Sequence, residues 1–283
     1  MSSTPWAPWP YRIDAMQIAL YQGPAGPHAP EDNLARLEAW ATRAARQGAD
    51  LVVFPEMFLS GYNIGAQAAA ERAQPADGAG FKHVATTAQR LGIAIAYGYP
   101  EAGPDGAIYN AAQLVDSQGQ RLLNYRKAHL FGGLDRAMFT PGHGRFVTAK
   151  LNGWNLGLLI CYDVEFPEAV RHLAVAGADL VLVPTANMVG FEFVADVTVR
   201  ARAYENGCYL AYANYSGPEA DLTYCGLSSL NRPDGTQQAL SATEEGLLFS
   251  LLTKDALAAC RRASPYLLDL RRDLYGSPYP QSI

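Results

Sequence analysis

Two kinds of hydrophobic pattern alternate along the chain. Runs of consecutive apolar residues, typical of strands buried on both faces of a sheet, occupy residues 16–23, 49–56, 93–100, 154–161, 179–186 and 208–216. Between them, apolar residues recur every three or four positions, as on one face of a helix, over residues 30–48, 78–91, 166–178 and 196–207. Strands that alternate with helices in this way predict an α/β fold whose sheets are covered by helices.

Antiparallel pairs interrupt this alternation at two places. Residues 107–116 and 121–130 form a hairpin-like pair joined by "SQGQ". Residues 224–253 resemble a meander, with Asp234 and Gly235 at a turn. Two similar βαβ halves combined with such pairs predict two sheets packed against each other, with the helices outside.

The chain has no Gly- or Ser-rich linker, so we expect one domain. Residues 1–14, rich in proline and tryptophan, are expected to form a loose arm in front of a single domain of residues 15–283. The segment "PYLLDLRRDLYG" near the C-terminus is apolar and tyrosine-rich. We expect this tail to lie at an oligomer interface.

Composition and charge exclude several classes of partner. The net charge of −5 and the lack of a basic stripe argue against nucleic acid. No apolar stretch approaches the roughly 20 residues of a membrane span, and the N-terminus lacks the pattern of a signal peptide. The four cysteines have no metal-ligand spacing, which argues against structural zinc or a disulfide framework. We therefore expect a cytoplasmic protein.

Three reactive side chains each follow an apolar strand. Glu56 closes "LVVFPE", Lys127 closes "LLNYRK" and Cys161 closes "LGLLIC". Taken singly, they are explained as a capping glutamate, a solvated lysine and a core cysteine. Together they suit a nucleophilic thiol, because a cysteine attacks a carbonyl only as the thiolate. Lys127 favours the thiolate, and Glu56 can accept the proton as a general base.

The same residues offer an oxyanion site without a histidine. The Lys127 ammonium and the backbone N–H of Tyr162 can stabilise the oxyanion of a tetrahedral intermediate. His129 and His172 have no recognisable orienting partner in the sequence, which disfavours a cysteine–histidine protease. No Gly-rich loop follows the first strand, which disfavours a nucleotide-binding module.

The segments "FPEMFLSGY", "NYRKAHLF" and "GLLICYDVEFPE" resemble, in this order, the three signature blocks of the nitrilase superfamily of carbon–nitrogen hydrolases. The resemblance implies a four-layer αββα sandwich, commonly assembled into dimers or higher homo-oligomers. It also implies a catalytic triad of Glu56, Lys127 and Cys161, with no metal or organic cofactor. A second carboxylate of the family, usually a glutamate, falls on Asp135, which we expect to orient Lys127.

Glu165, four positions after Cys161, indicates the charge of the substrate. Relatives that act on acidic substrates carry arginine at this position, whereas a carboxylate would attract an ammonium. The segments "ALYQGPAGP", "EMFLSGYNIG", "RKAHLFGGLDRAMFTPG" and "PTANM" resemble bacterial 5-aminopentanamidases (δ-aminovaleramidases) of lysine breakdown. That resemblance implies hydrolysis of 5-aminopentanamide to 5-aminopentanoate and ammonia. Gly133 departs from the pattern, since a glutamate is expected there, and Glu165 could instead pair with Arg171 or another cation.

Several further residues flank the triad. Three of them are expected to line the substrate pocket, with simple packing as the alternative: Tyr62, Asn187 and Phe166. Asp163 is interpreted as a cap for the helix that begins near Phe166. In "VRARAYEN", Arg200, Arg202 and Glu205 are interpreted as the ion-pairing face of a helix.

Other functions remain open at this point. Within the superfamily, the alternatives are an ω-amidase, a broad aliphatic amidase, an N-carbamoyl-amine hydrolase and a true nitrilase. A catalytically silent scaffold on the same fold is an alternative of a different class. Such a protein is expected to have lost a triad residue, whereas all three are present in this chain.

Overall fold

The computed structural model describes residues 14–26 and 29–275. Its strands are β1 (Ala15–Pro24), β2 (Leu51–Val53), β3 (Ala94–Ala102), β4 (Ile108–Val115), β5 (Arg121–Arg126), β6 (Thr148–Leu151), β7 (Trp154–Leu158), β8 (Leu180–Pro184), β9 (Tyr209–Ala213), β10 (Tyr215–Glu219), β11 (Leu222–Cys225), β12 (Ser229–Asn231), β13 (Gln237–Ala239) and β14 (Gly246–Thr253).

The helices follow the strands in the predicted alternation. They are α1 (Pro30–Arg46), α2 (Gly65–Arg72), α3 (Ala79–Leu91), α4 (Gly132–Met138), α5 (Pro167–Val175), α6 (Val199–Asn206), α7 (Lys254–Ala263) and α8 (Tyr266–Asp269). Short 3₁₀ turns occupy Cys161–Glu165 and Arg272–Leu274, and a π-helical turn, Val194–Thr198, leads into α6.

The strands form two sheets. The eight-stranded sheet has the order β11-β10-β1-β2-β3-β4-β5, with β14 also paired to β1. The six-stranded sheet has the order β13-β12-β9-β8-β7-β6. In both sheets the central strands are parallel, namely β1, β2 and β3 in the first and β7, β8 and β9 in the second. Helices connect these parallel strands, as such crossovers require.

The side chains of β1 show how the layers are stacked. Ile18 and Leu20 belong to a hydrophobic cluster shared with the second sheet. Ala19 and Tyr21, which alternate with them, pack instead in a cluster with residues of α1 and α3. On the second sheet, α5 approaches so closely that a Cβ at Gly157 would lie 2.8 Å from Leu173. The result is the predicted αββα sandwich.

The prediction of one strand over residues 208–216 is wrong, because this segment forms two strands that belong to different sheets. β9 belongs to the six-stranded sheet and β10 to the eight-stranded sheet. The chain crosses between them at Asn214, whose buried side chain donates hydrogen bonds to the carbonyl oxygens of Asn187 and Gly226 at 3.1 and 2.7 Å. These bonds satisfy the backbone at the crossing, and apolar periodicity cannot show them.

The sequence analysis also made predictions for the two ends of the chain, an N-terminal arm and a C-terminal tail at an interface. Residues 1–13 of the predicted arm lie outside the described residues. The tail forms α8 and a 3₁₀ turn, in which Leu268 is 87% and Leu274 64% exposed. Within residues 14–26 and 29–275, no helix has the length and apolar character needed to cross a bilayer.

Candidate active site

Lys127, at the end of β5, lies between two carboxylates. Its Nζ is 2.7 Å from Glu56 Oε1 and 2.7 Å from Asp135 Oδ2, and all three side chains are 0% exposed. Burial by itself would lower the pKa of Lys127, but the two carboxylates outweigh it and raise that pKa well above its usual value. Lys127 is therefore a fixed ammonium within a buried site.

Glu56 keeps one carboxylate oxygen free. Oε1 accepts hydrogen bonds from Lys127 and, at 2.6 Å, from Asn110 Nδ2, whereas the buried Oε2 has no hydrogen-bond partner among the described residues. Burial raises the pKa of Glu56, and Lys127 acts in the opposite direction. A desolvated carboxylate with a free oxygen is a stronger base than an exposed glutamate. The backbone N–H of Glu56 donates to the Thr185 carbonyl at 3.3 Å, so the loops after β2 and β8 meet here.

Cys161 begins the 3₁₀ turn that follows β7. Its φ of +45° lies in the left-handed region, which non-glycine residues rarely adopt and which is often found at functional sites. The turn is anchored by Arg202, whose Nε and Nη2 donate to the carbonyl oxygens of Val164 and Glu165 at 3.0 and 2.7 Å. The residue Cys161 is partly exposed, whereas Asp163 and Val164 in the same turn are buried.

The α6 residues have structural roles. Arg202 pairs with Glu205 at 3.1 Å, as predicted. Arg200 instead donates to the carbonyl oxygen of Gly235. Arg202 therefore also fixes the turn that carries the thiol, a role that the helical pattern alone did not indicate.

The thiol of Cys161 responds to both of its charged neighbours. Removal from water and the Glu56 carboxylate raise its pKa above the usual range, while Lys127 acts in the opposite direction. Lys127 lowers the pKa of the thiol, as the sequence predicted, but burial and the Glu56 carboxylate raise that pKa by more. These effects favour the thiol over the thiolate, and Glu56 is the neighbouring carboxylate that can accept its proton during attack on a carbonyl.

Asp135 reaches Lys127 despite its short side chain. Its Oδ2 also accepts the backbone N–H of Phe131 at 2.9 Å, and its Oδ1 accepts the Tyr62 hydroxyl at 2.8 Å. Tyr62 is buried, and its ring lies 5.8 Å from Lys127 Nζ. Tyr62 thus belongs to the site, but its hydroxyl is bound to Asp135.

Glu219, which the sequence did not single out, fixes the segment before α2. Its carboxylate accepts the backbone N–H groups of Tyr62 and Asn63 at 3.1 and 2.9 Å, and the Tyr224 hydroxyl. A Cβ at Gly61, where φ is +84°, would lie 2.7 Å from Glu219 Oε1. Gly61 signals a tight turn in the sequence, but no local pattern indicates a partner 157 residues away.

Asp163 is structural, as expected, but it is not the cap of α5. Its Oδ2 accepts the Ile160 N–H at 3.2 Å and the Tyr125 hydroxyl at 2.9 Å. Its Oδ1 lies 2.8 Å from His129 Nδ1 and also accepts the His129 backbone N–H at 2.9 Å. The expectation that His129 lacks an orienting partner is therefore wrong. Asp163 therefore connects the turn that begins at Cys161 to the segment that follows Lys127.

Glu165 carries a partly buried carboxylate beside the site. Among residues 14–26 and 29–275, no ion pair or side-chain hydrogen bond to this carboxylate is present, and it does not pair with Arg171. Burial raises the pKa of Glu165, whereas Lys127 and Arg202 act in the opposite direction.

The other two predicted pocket residues, Phe166 and Asn187, make contacts within the protein. Phe166 stacks on His129 with ring centroids 3.9 Å apart, and its ring meets the edge of Tyr162 at 5.0 Å. Asn187 Nδ2 donates to the Phe191 carbonyl at 3.0 Å. Both contacts are internal to the protein, and a role of either residue in binding substrate remains a prediction.

Comparison with known families identifies the fold. The family model described as "Carbon-nitrogen hydrolase" matches residues 17–262, a range that contains Glu56, Lys127 and Cys161. The chain belongs to the carbon–nitrogen hydrolase family. The triad blocks that suggested this family in the sequence therefore lie within its matched region.

Two relatives of this carbon–nitrogen hydrolase cover nearly the whole chain. One is "Hydrolase in pqqF 5'region" of Pseudomonas protegens, 53% identical over 263 residues, or 93% of this chain and 92% of that protein. The other is an (R)-stereoselective amidase of Pseudomonas sp, 38% identical over 94% of this chain and 93% of that protein. Neither name specifies 5-aminopentanamide.

An amidase from Nesterenkonia sp. has the same fold. Its crystal structure has a TM-score of 0.83 and 39% identity, and the match covers 94% of this chain and 97% of that one. In one mutant of that amidase, the acetamide moiety of fluoroacetamide is added covalently at the active-site cysteine, and another mutant is in complex with butyramide. The family and these amidase relatives together show that the present protein is a hydrolase that acts on amides.

Proposed function

We propose that this protein hydrolyses small linear aliphatic amides through a thioester on Cys161, with 5-aminopentanamide as its preferred substrate. The observation that carries the mechanism is the position of Lys127 Nζ, 2.7 Å from both Glu56 Oε1 and Asp135 Oδ2 in a buried site. The covalent adduct on the cysteine of the Nesterenkonia amidase supports a thiol nucleophile here as well.

Acylation begins when Cys161 Sγ attacks the amide carbon and Glu56 Oε2 accepts the thiol proton. A carbon–sulfur bond forms, and the oxyanion receives hydrogen bonds from Lys127 and from the Tyr162 N–H. Tyr162 is the second residue of its turn, where a backbone N–H has no partner within the turn. The intermediate then collapses: the carbon–nitrogen bond breaks, Glu56 protonates the nitrogen, and ammonia leaves a thioester on Cys161.

Hydrolysis of the thioester repeats these steps with water as the nucleophile. Glu56 takes a proton from water as the oxygen attacks the carbonyl carbon, and Lys127 again stabilises the oxyanion. The carbon–sulfur bond breaks, and Glu56 returns its proton to the sulfur of Cys161. The sum is one amide and one water converted to a carboxylic acid and ammonia, with the enzyme restored.

Glu165 supports the choice of an amine-bearing amide. Its partly buried carboxylate makes no direct ion pair within the described part of the chain, although Lys127 and Arg202 act on its pKa, and an ammonium on the substrate would supply a direct partner. Gly133, where a glutamate is expected in aminoamidases, is exposed, and a Cβ added there would meet nothing within 4 Å. Glu165 is therefore the carboxylate to which we assign recognition of the amine.

The deciding experiment is ammonia release from 5-aminopentanamide and from pentanamide at neutral pH, compared as kcat/KM. The two amides share chain length and reacting group and differ in the ammonium alone. We expect a preference for the amine of about tenfold or more, which corresponds to about 1.4 kcal/mol. Equal values would leave a general aliphatic amidase and would reject the proposed substrate.

We also propose that the protein assembles at least into a homodimer with its C-terminal tail at the interface. The exposed apolar side chains of Leu268 and Leu274 support this assignment, because such groups are usually covered in an assembly. A solution mass from light scattering tests it. A monomer at micromolar concentration would reject it.

A further inference from the structure

We propose that the rings of Phe131, Tyr162 and Phe191 combine with Glu165 into a subsite that binds the ammonium end of the substrate through cation–π contacts. This inference rests on the proposed preference for an amine-bearing amide and specifies how the amine is recognised. It assigns the recognition to aromatic faces as well as to a carboxylate.

The three rings form a continuous cluster next to the nucleophile. Phe131 meets Tyr162 edge-on with centroids 5.3 Å apart, and it meets Phe191 in the same way at 5.6 Å. Phe131 and Tyr162 are partly exposed, and Phe191 is 44% exposed. Tyr162 directly follows Cys161 in the chain, so this partly exposed cluster begins beside the residue to which we assign nucleophilic attack.

Each of the two phenylalanines is held by a residue of the site. The backbone N–H of Phe131 donates to Asp135 Oδ2, the oxygen that also binds Lys127. The backbone carbonyl of Phe191 accepts Asn187 Nδ2 at 3.0 Å. Phe131 follows β5 of the first sheet and Phe191 follows β8 of the second, so the rings meet across the two sheets. Rings fixed in this way lose little freedom when they bind a cation.

Glu165 and Tyr162 belong to the same short turn. The residues from Cys161 to Glu165 form a 3₁₀ turn, in which side chains three positions apart overlie each other. Tyr162 and Glu165 have this spacing. A partly buried carboxylate next to clustered aromatic rings is the chemistry that recognises alkylammonium groups.

Quaternary ammonium groups distinguish this subsite from a simple ion pair. A trimethylammonium has no N–H, so it cannot donate hydrogen bonds to Glu165, but it binds well against aromatic faces. Its neutral counterpart, with a tert-butyl group, has the same shape and no charge. The test compares kcat/KM for 5-(trimethylammonio)pentanamide and for 6,6-dimethylheptanamide, with pentanamide and 5-aminopentanamide as references.

We expect the trimethylammonio amide to exceed its neutral counterpart by about tenfold in the unaltered enzyme. In Phe191→Leu this ratio is expected to fall about fivefold, because the leucine keeps the bulk but removes the ring. The matched control is Phe193→Leu: Phe193 lies in the same segment, is 69% exposed and takes no part in these ring contacts. Its ratio is expected to stay unchanged. Turnover of pentanamide by each variant shows that the fold is intact.

The outcomes separate this inference from the proposed function. If 5-aminopentanamide has no advantage over pentanamide, the proposed substrate fails, and the subsite fails with it. If that advantage is present, the aromatic subsite is rejected by either of two results, and the proposed substrate stands. One is a kcat/KM ratio of the trimethylammonio amide to its neutral counterpart near one. The other is an equal ratio in Phe191→Leu and Phe193→Leu. Phe131→Leu provides a second test of the ring contribution, and an unchanged ratio there as well would confirm the rejection.

Discussion

The Tyr62 hydroxyl donates a hydrogen bond to Asp135 Oδ1 at 2.8 Å, while Oδ2 of the same carboxylate lies 2.7 Å from Lys127 Nζ. Tyr62 is therefore connected to Lys127 through the carboxylate of Asp135. We expect the tyrosine to position Lys127, although its place beside a triad block first suggested a contact with substrate.

Tyr62→Phe is expected to lower kcat by about 10- to 100-fold with little change in KM, since hydrogen bonds to charged groups contribute about 1.5–3 kcal/mol. Steady-state kinetics with pentanamide measure both constants. A rise in KM at constant kcat would instead show that Tyr62 contacts the substrate.

Asp135→Asn is expected to reduce kcat by at least about 100-fold, because the amide keeps the shape but removes a charge that raises the pKa of Lys127. Asp135→Glu restores the carboxylate usual in the family and is the matched comparison. We expect it to retain more activity than Asp135→Asn. Equal activity of the two variants in ammonia release would show that the charge at this position is unimportant.

Cys161→Ala is expected to abolish amide hydrolysis and thioester formation. Glu56→Gln removes the base but leaves the thiol, so we expect it to be inactive toward amides while the cysteine still reacts with an electrophile such as fluoroacetamide. Intact-protein mass spectrometry after incubation distinguishes the two variants. Full hydrolytic activity in Cys161→Ala would contradict the mechanism.

The preference for an amine-bearing amide is expected to depend on pH through Glu165. Its carboxylate is charged above its pKa, which burial raises above the ordinary glutamate value. The ratio of kcat/KM for 5-aminopentanamide to that for pentanamide should therefore fall as the pH falls through that pKa. The ratio cancels the titration of groups common to both reactions. In Glu165→Gln the ratio should be low and independent of pH, and a persistent pH dependence would point to another group.

Gly98→Ala tests how the backbone of Glu56 is positioned. A Cβ at Gly98, in β3, would lie 2.3 Å from the Met57 nitrogen and 2.8 Å from the Glu56 Cα, so the loop must move. We expect a loss of about 1–3 kcal/mol in the free energy of unfolding, together with a lower kcat. Gly246→Ala, in β14, is the control, since its Cβ would meet nothing within 4 Å. We expect this control to keep the free energy of unfolding, measured with denaturant, and the kcat of the unaltered protein.

The sequence was sufficient for the alternation of helices and strands and for the positions of Glu56, Lys127 and Cys161 just after three strands. These features depend on local periodicity and on the reactive groups themselves, and both are visible within a few neighbouring positions. The same local logic failed at residues 208–216, because a continuous apolar run does not show that the chain leaves one sheet for the other at Asn214.

Contacts between distant segments were decided by the tertiary structure alone. Tyr62 binds Asp135 across 73 positions, and Glu219 binds the Tyr62 backbone across 157. The pKa of Cys161 was also decided by the tertiary structure. The sequence predicted a lysine and a glutamate near the thiol, but it did not show which of the two charges would have the larger effect on that pKa. That outcome depends on how much water the packed sheets exclude, and exclusion of water is a property of the assembled fold.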